Sequence, residues 1–342
     1  RVYKETDEMM LILRLLILPV ILAVFSIFMG LIYKGVDRKL AAHMQARIGP
    51  PLRQPFRDVR KLFIKENIVP ENAVAWIYNL TPVLSLTAAV SILLYIPIGS
   101  ITILSGYGDL ILILYLLMIP ALGMIAGGFA SGSPYATVGA QREMVMLMSY
   151  EFPLAITVIS IVWKLSTTYV LTDAFSLTTL AKYPVWEAVG PVGFIGLAIL
   201  LLTLLVVTPA ELSKIPFDAP EAETEIAGGL LAEYSGRNLA MFYLSDAVKT
   251  VAMAGIVVAL FFPYNISVFF NLPTTIGIIV DILFFLLKVL IIITVCVTFV
   301  RVAAARLKID QVAYTYFIQL TLFGLIGLVL IVLDTILPVL TG

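Results

Sequence analysis

Residues 188–236 read AVGPVGFIGLAILLLTLLVVTPAELSKIPFDAPEAETEIAGGLLAEYSG. The first 21 of these residues are uncharged and apolar, enough helix to cross a hydrocarbon core about 30 Å thick. Six carboxylates then fall within 23 residues: Glu211, Asp218, Glu221, Glu223, Glu225 and Glu233, with Lys214 as their one cation. Pro216 and Pro220 forbid a regular helix before Glu221. The connection therefore reads as an irregular loop turning into a short helix through Glu233. A second span-length apolar run follows from residue 239.

The same alternation extends along all 342 residues. With 61% hydrophobic and 13% charged residues, the chain holds about half the charge of a soluble domain and is expected to be an all-α integral membrane protein. Eight runs are long enough to span, at roughly 9–33, 76–97, 109–131, 143–164, 188–208, 239–262, 276–300 and 312–338. They form one transmembrane domain with a basic connection at 34–75 and the acidic one at 209–238. Met9 to Tyr33 is too long for a signal core, and no small-residue cleavage site follows it. Acidic and basic residues balance at 22 each, so overall charge points to no nucleic-acid partner. One histidine, His43, and one cysteine, Cys296, leave no thiolate or imidazole set for a metal, an iron–sulfur cluster or a disulfide. Any redox cofactor is expected in a partner chain.

Counting Lys and Arg gives the orientation. The connections after spans 1, 3, 5 and 7 hold fifteen cations, and the segments on the side of the termini hold four. Both termini are expected outside the cell membrane, with the basic and acidic connections facing the cytoplasm. In the basic connection, Phe56, Val59, Leu62 and Phe63 interleave with Arg57, Arg60, Lys61 and Lys65 at helical spacing, the pattern of an amphipathic helix lying on the interface. Such a helix suits anionic lipid or a docked partner, and Arg47 and Arg53 extend the same basic surface.

Ionisable residues at membrane depth mark a pathway or a buried pair. Span 4 carries Glu143 at its start and Glu151 two turns deeper, on one face; Glu143 also suits a helix-start acid. Span 6 carries Asp246 and Lys249, three apart and able to pair. Span 7 carries Asp281 and Lys288 on one face. Arg14 and Asp334 lie near helix ends, where they are expected to snorkel. The acids of the 209–238 connection must be paired, solvated or protonated, and the basic first connection is the expected counter-charge.

Ordered motifs then identify a family. They are Gln45-Ala-Arg47-Ile-Gly49-Pro50, Lys61-Leu-Phe-Ile-Lys65-Glu66, Ser149-Tyr150-Glu151, Ala210-Glu211-Leu, Pro216-Phe217-Asp218, and Glu221-Ala-Glu223-Thr-Glu225 through Glu233-Tyr234-Ser-Gly236, with Arg306 and Asp310-Gln311 before span 8. In this order the chain resembles the H-type (mitochondrial subunit 1) membrane subunits of respiratory complex I and their relatives in membrane-bound hydrogenases. The resemblance implies a hetero-oligomeric anchor, with no cofactor of its own, joining peripheral redox subunits to antiporter-like membrane subunits. Iron–sulfur clusters, and a nickel–iron site in hydrogenases, would lie in those partners. It also implies that Glu151 and the loop acids Glu211, Asp218, Glu221, Glu223, Glu225 and Glu233 belong to a charged ion path, to which Glu143, Asp246 and Lys249 are added as ionisable residues at membrane depth. Arg47, Arg53, Arg57, Arg60, Lys61 and Lys65 would dock the peripheral arm.

The chain departs from the quinone-type pattern in a shortened turn, Pro51-Leu-Arg53 before Gln54-Pro55. It also has Asp37-Arg38-Lys39 where those members have Glu-Arg-Lys, and Ser213-Lys214 where they have Asn-Arg. These departures lean toward ferredoxin-linked hydrogenase or sulfane/sulfur reductase relatives, with proton or sodium translocation. The alternative is a quinone- or methanophenazine-chamber subunit. A stand-alone secondary ion transporter is a third reading, against which no internal repeat is found.

Overall fold

The computed structural model describes residues 17–101, 103–104, 108–169, 175–270 and 273–341. Eight helices among them are long and apolar enough to cross a membrane. In chain order they are α1 (Leu18–Met44), α3 (Ala75–Tyr95), α4 (Leu110–Ala130), α5 (Pro134–Tyr169), α6 (Pro191–Glu211), α7 (Gly236–Phe261), α8 (Thr275–Ala303) and α9 (Ile309–Leu337). The amphipathic helix is α2 (Gln54–Ile64), after the first span as the periodicity requires. Arg14 lies outside the described residues.

The bundle is built around α7, which packs against α1, α2, α3 and α8 and is buried along nearly its whole length. Its small residues permit this. At Gly30 of α1 an added Cβ would stand 2.6 Å from the Ala247 carbonyl oxygen of α7, so the two backbones touch there. The helices α5, α6 and α9 pack together on one flank, and α3 and α4 on the other. Phe56 and Val59 of α2 pack on α1 and α7 beside Leu31 and Leu244, while Phe63 and Ile64 stay exposed.

Two helices exceed their apolar runs, and both extensions matter. The first continues eleven residues past Tyr33, so Lys34, Asp37, Arg38 and Lys39 are helical; it ends only where Ala46 turns left-handed with φ 56°. Apolar periodicity stops early because these charges find partners inside the protein instead of water. The fourth span starts at Pro134, a residue suited to the first helical turn. Glu143 is therefore an interior residue of α5 and fully buried, not a helix-start acid.

The helix ends remote from the acidic loop are pinned by buried charges. Asp334 does not snorkel: its Oδ2 lies 2.8 Å from Lys164 Nζ, with both side chains almost wholly buried, and it accepts the Gly190 N–H at 3.0 Å. Asp281 accepts hydrogen bonds from Ser100, from Ser267 Oγ and from the Ser267 N–H, whereas Lys288 donates to the Phe262 and Tyr264 carbonyls beyond α7. The two share a helix face but do separate work. Lys164→Met is expected to destabilise the protein by about 3 kcal/mol because it strands a buried carboxylate. Adding Asp334→Leu should recover most of that loss, measured by unfolding in detergent.

Candidate functional site

The acidic connection is stitched down, not solvated throughout. After α6 come an Ala219–Glu221 3₁₀ turn, a single α-turn at Glu223–Ile226 and another 3₁₀ turn at Gly229–Leu231. The expected single helix through Glu233 is broken because Ala227, Gly228 and Gly229 all have positive φ. At Gly229 any Cβ would collide with the Pro220 carbonyl, so the loop folds onto itself there. Arg306 grips Asp218 through Nε at 2.9 Å and through Nη2, and reaches Thr224 at 3.0 Å. Arg142 of α5 pairs with Glu225. The counter-charge thus comes from α5 and from the α8–α9 connection, and at Glu221 also from Lys34 at the head of the basic first connection. That connection touches the loop through Ser235 Oγ, which accepts the Ile68 N–H at 2.9 Å.

The six acids of the loop differ in burial. Glu223, Glu225 and Glu233 are exposed on the loop surface, Glu211 and Asp218 are buried, and Glu221 is half-buried. Glu221 faces a cavity of about 260 Å³ whose wall also carries Lys34, Asp37, Arg38, Lys214, Asp246 and Arg301. A smaller space of about 30 Å³ on its other side, beside Glu211, Ser213 and Lys249, is large enough and polar enough for a water. Glu221 borders both. Burial raises its pKa above the ordinary glutamate value, the charges of Asp246 and Asp218 add to this, and Lys214 and Lys34 oppose it.

A carboxyl group with a raised pKa stabilises the fold at low pH, and that stability is lost as the pH climbs through the raised value. Glu221→Gln is therefore expected to gain on the wild type progressively as the pH climbs from about 4.3, checked by thermal unfolding across a pH series.

From this cavity a chain of charges runs through the bundle. Asp37 accepts from Thr298 Oγ1 at 2.8 Å and from Arg301 at 2.9 Å. Arg38 bonds Asp58 and the Tyr243 hydroxyl, and the Lys34 ammonium lies 3.5 Å from the Tyr243 ring centroid. Asp246 does not pair with Lys249 as its sequence neighbourhood suggests. It is shared by Lys34 and Lys214, each 2.7 Å from Oδ2. Burial alone would lower the Lys214 pKa; the Asp246 carboxylate overrides it and leaves Lys214 above the ordinary lysine value. Lys249 instead meets Glu211, 2.7 Å from both its carboxylate and its carbonyl oxygen. The reason is rotational: Asp246 faces the α1 side of α7, and Lys249 faces α6.

Beyond Glu211 the chain reaches α5. Ser213 Oγ donates to Glu143 Oε2 at 3.4 Å, and the other Glu143 oxygen is buried without a hydrogen-bonding protein group among the described residues. The Tyr150 hydroxyl is buried close to the Glu211 carboxyl. Glu151, one residue on, is half-buried and opens onto a cavity of about 680 Å³ on the outer flank of α4 and α5, among Ile111, Tyr115 and Phe152. Glu211, Glu221, Asp246 and Lys249 thus border one polar space, Glu143 meets it through Ser213, and Glu151 follows Tyr150 on the outward face of α5. Asp218, Glu223, Glu225 and Glu233 lie on the loop outside that space.

Apolar-run reasoning missed Lys34, Asp37, Arg38 and Arg301 as members. Their signal was present, since residues 34, 37 and 38 share one face if the helix is continued. Arg47, Arg53, Arg57, Arg60, Lys61 and Lys65 are all exposed and form no ion pair among the described residues. Among those residues, no group of three or more His, Cys, Asp or Glu side chains is arranged to hold a metal ion.

The NADH dehydrogenase family matches residues 16–332. The chain belongs to this family. A relative from Brevibacillus brevis, the H subunit of NADH-quinone oxidoreductase, is 32% identical over 302 residues, covering 85% of this chain and 84% of that one. The H subunit of the NADH-quinone oxidoreductase of Ehrlichia ruminantium is 30% identical over 346 residues, covering 91% and 88%. Among solved structures, a chain of the membrane-bound sulfane sulfur reductase, an archaeal respiratory membrane complex, superposes with a TM-score of 0.78 at 29% identity, covering 92% of this chain and 98% of that chain. The family match spans the whole charged line, from Lys34 to Arg306.

Proposed function

We propose that this chain is the membrane anchor and energy-coupling subunit of a complex I-like, ferredoxin-linked oxidoreductase of the hydrogenase or sulfane/sulfur reductase type. The similarity to the two NADH-quinone oxidoreductase chains and to the sulfane sulfur reductase chain supports membership of a multi-subunit respiratory complex. The observation that carries the reading is the shared-partner geometry of the charged line. Asp246 has two ammoniums, while Glu211 and the buried Glu143 depend on the single cation Lys249. Moving one positive charge at the cavity end changes the balance at Asp246, then at Glu211, then at Glu143, without any covalent step. Glu151 delivers the change to the outer flank of α5, where a neighbouring membrane subunit would receive it.

The peripheral redox arm would dock from the cytoplasm on the six exposed cations of the first connection. Both termini lie outside the cell membrane in this reading. The number of charges in the cavity wall favours it over a quinone chamber. Seven charged side chains line the space, whereas a pocket for a lipid-soluble ring and tail carries a small number of polar groups.

The test uses the assembled complex in sealed vesicles. In Glu211→Gln and Glu151→Gln, electron transfer is expected to persist within about threefold while ions moved per electron pair fall at least tenfold. Unchanged ratios in both variants would refute the coupling role. Loss of electron transfer on extracting lipid quinones would favour the quinone-chamber alternative.

A further inference from the structure

Two stretches of the bundle are neither α-helix nor loop. Thr294–Phe299 in α8 and Thr315–Leu320 in α9 are π-helical turns of six residues each, and both sit at the ends of these helices that border the charged cavity and the acidic loop. A π turn holds one residue more than the α-turns around it, and such turns concentrate at functional sites. Converting one to α slides the helix end by about 1.5 Å and rotates it by roughly 100°.

What the two turns carry gives that motion a consequence. Thr298, inside the first turn, and Arg301, two residues beyond it, both hold Asp37 of α1 and so close the α1–α8 side of the cavity. The connection between the turns is tied to the acidic loop by Arg306 on Asp218 and by the Leu307 N–H on the Pro216 carbonyl at 3.1 Å. Inside the second turn, Tyr316 donates to the Val206 carbonyl at 2.8 Å and its ring stands edge-on to Phe217 of the loop. The far ends of α8 and α9 are fixed by Asp281, Lys288 and the Lys164–Asp334 pair. Each helix is thus anchored at one end and holds its spare residue at the other. The outward faces of the two turns, at Val295, Phe299, Phe317 and Ile318, are exposed, while Cys296, Val297, Thr298 and Tyr316 face the core and would be displaced by the rotation. Arg301 and Arg306 keep 25% and 32% of their side-chain surface, so their ion pairs are partly hydrated and separable.

We propose that the two π turns make the α8–α9 hairpin a register switch. In the π form, Arg301–Asp37 and Arg306–Asp218 are latched and the cavity wall is closed. Conversion of the first turn to α withdraws Arg301 and opens that wall between α1 and α8; conversion of the second draws Arg306 off the acidic loop. This device stands whether or not the charged line couples ion movement.

Cys296 is the natural reporter, being the chain's one cysteine, inside the first turn and 1% exposed. In membranes holding the assembled complex, alkylation of Cys296 by a small permeant maleimide would be followed by peptide mass spectrometry. The wild type is expected to react slowly, and Asp37→Asn, which releases the latch, at least tenfold faster. Deleting Val295 removes the spare residue, and in the Asp37→Asn background it is expected to return alkylation to the wild-type rate.

No acceleration in Asp37→Asn would overturn the switch, as would acceleration that survives the deletion. If the deletion protein fails to assemble, amide hydrogen exchange on Asp37→Asn decides. Faster exchange confined to residues 294–303, with α7 unchanged, supports the switch. Exchange that is unchanged, or that spreads into α7, refutes it.

Discussion

Lys249→Met is expected to abolish ion translocation and to remove about 3–5 kcal/mol of stability, the usual penalty for stranding a buried charge. Both partners are almost completely buried, with 4% and 2% of their side-chain surfaces exposed, so bulk solvent does not replace the lost ammonium. The same ammonium is the cation acting on Glu143, so two carboxylates lose their compensation together. The prediction separates structure from function. Adding Glu211→Leu should restore most of the stability measured in detergent, because the unpaired charge is gone. It should not restore ions moved per electron, because the relay has lost two members.

Asp246→Asn should give the second-largest effect, by a different mechanism. Two ammoniums lie 2.7 Å from one carboxylate oxygen, which puts them within about 5 Å of each other. Without the carboxylate they repel by roughly 3 kcal/mol at an effective dielectric of about 20. Coupling is expected to fall at least tenfold, and the protein should lose stability that Lys34→Met in the same chain returns. A double-mutant cycle over Asp246 and Lys34, read by unfolding and by the ion-to-electron ratio, checks both parts.

The bundle was legible because lipid imposes a simple rule: apolar runs of span length become helices. Eight runs became eight helices, and the 3.6-residue pattern around Phe56 and Val59 correctly marked α2. The ends were not legible from the same rule. It fails where a helix leaves lipid but not the protein, as at Lys34–Met44, since charged residues there are satisfied by partners far away in sequence. Pairings failed for a related reason. Asp246 and Lys249 are close enough on one helix to pair, yet the roughly 60° between their directions is enough to face different neighbours.

The acidic loop illustrates the limit of charge counting. Six acids with one local cation looked unbalanced, and the balance is struck by Arg142 and Arg306 and, for Glu211, by Lys249. Only three of the six acids are exposed. The loop's left-handed residues were equally hidden: Gly228 and Gly229 were visible as glycines, but Ala227 gave no sign of its positive φ. The π turns left no mark in the sequence either, because an extra residue in an apolar run preserves its hydrophobicity.

We propose that the buried charges, rather than the acidity of the loop surface, carry the coupling. The most direct measurement compares ions translocated per electron pair in Glu143→Gln and Glu223→Gln complexes, reconstituted in sealed vesicles beside the wild type. Neutralising the buried Glu143 should reduce the ratio at least tenfold, and neutralising the exposed Glu223 should leave it within about twofold. A complex that keeps its ratio in Glu143→Gln and loses it in Glu223→Gln would contradict the account.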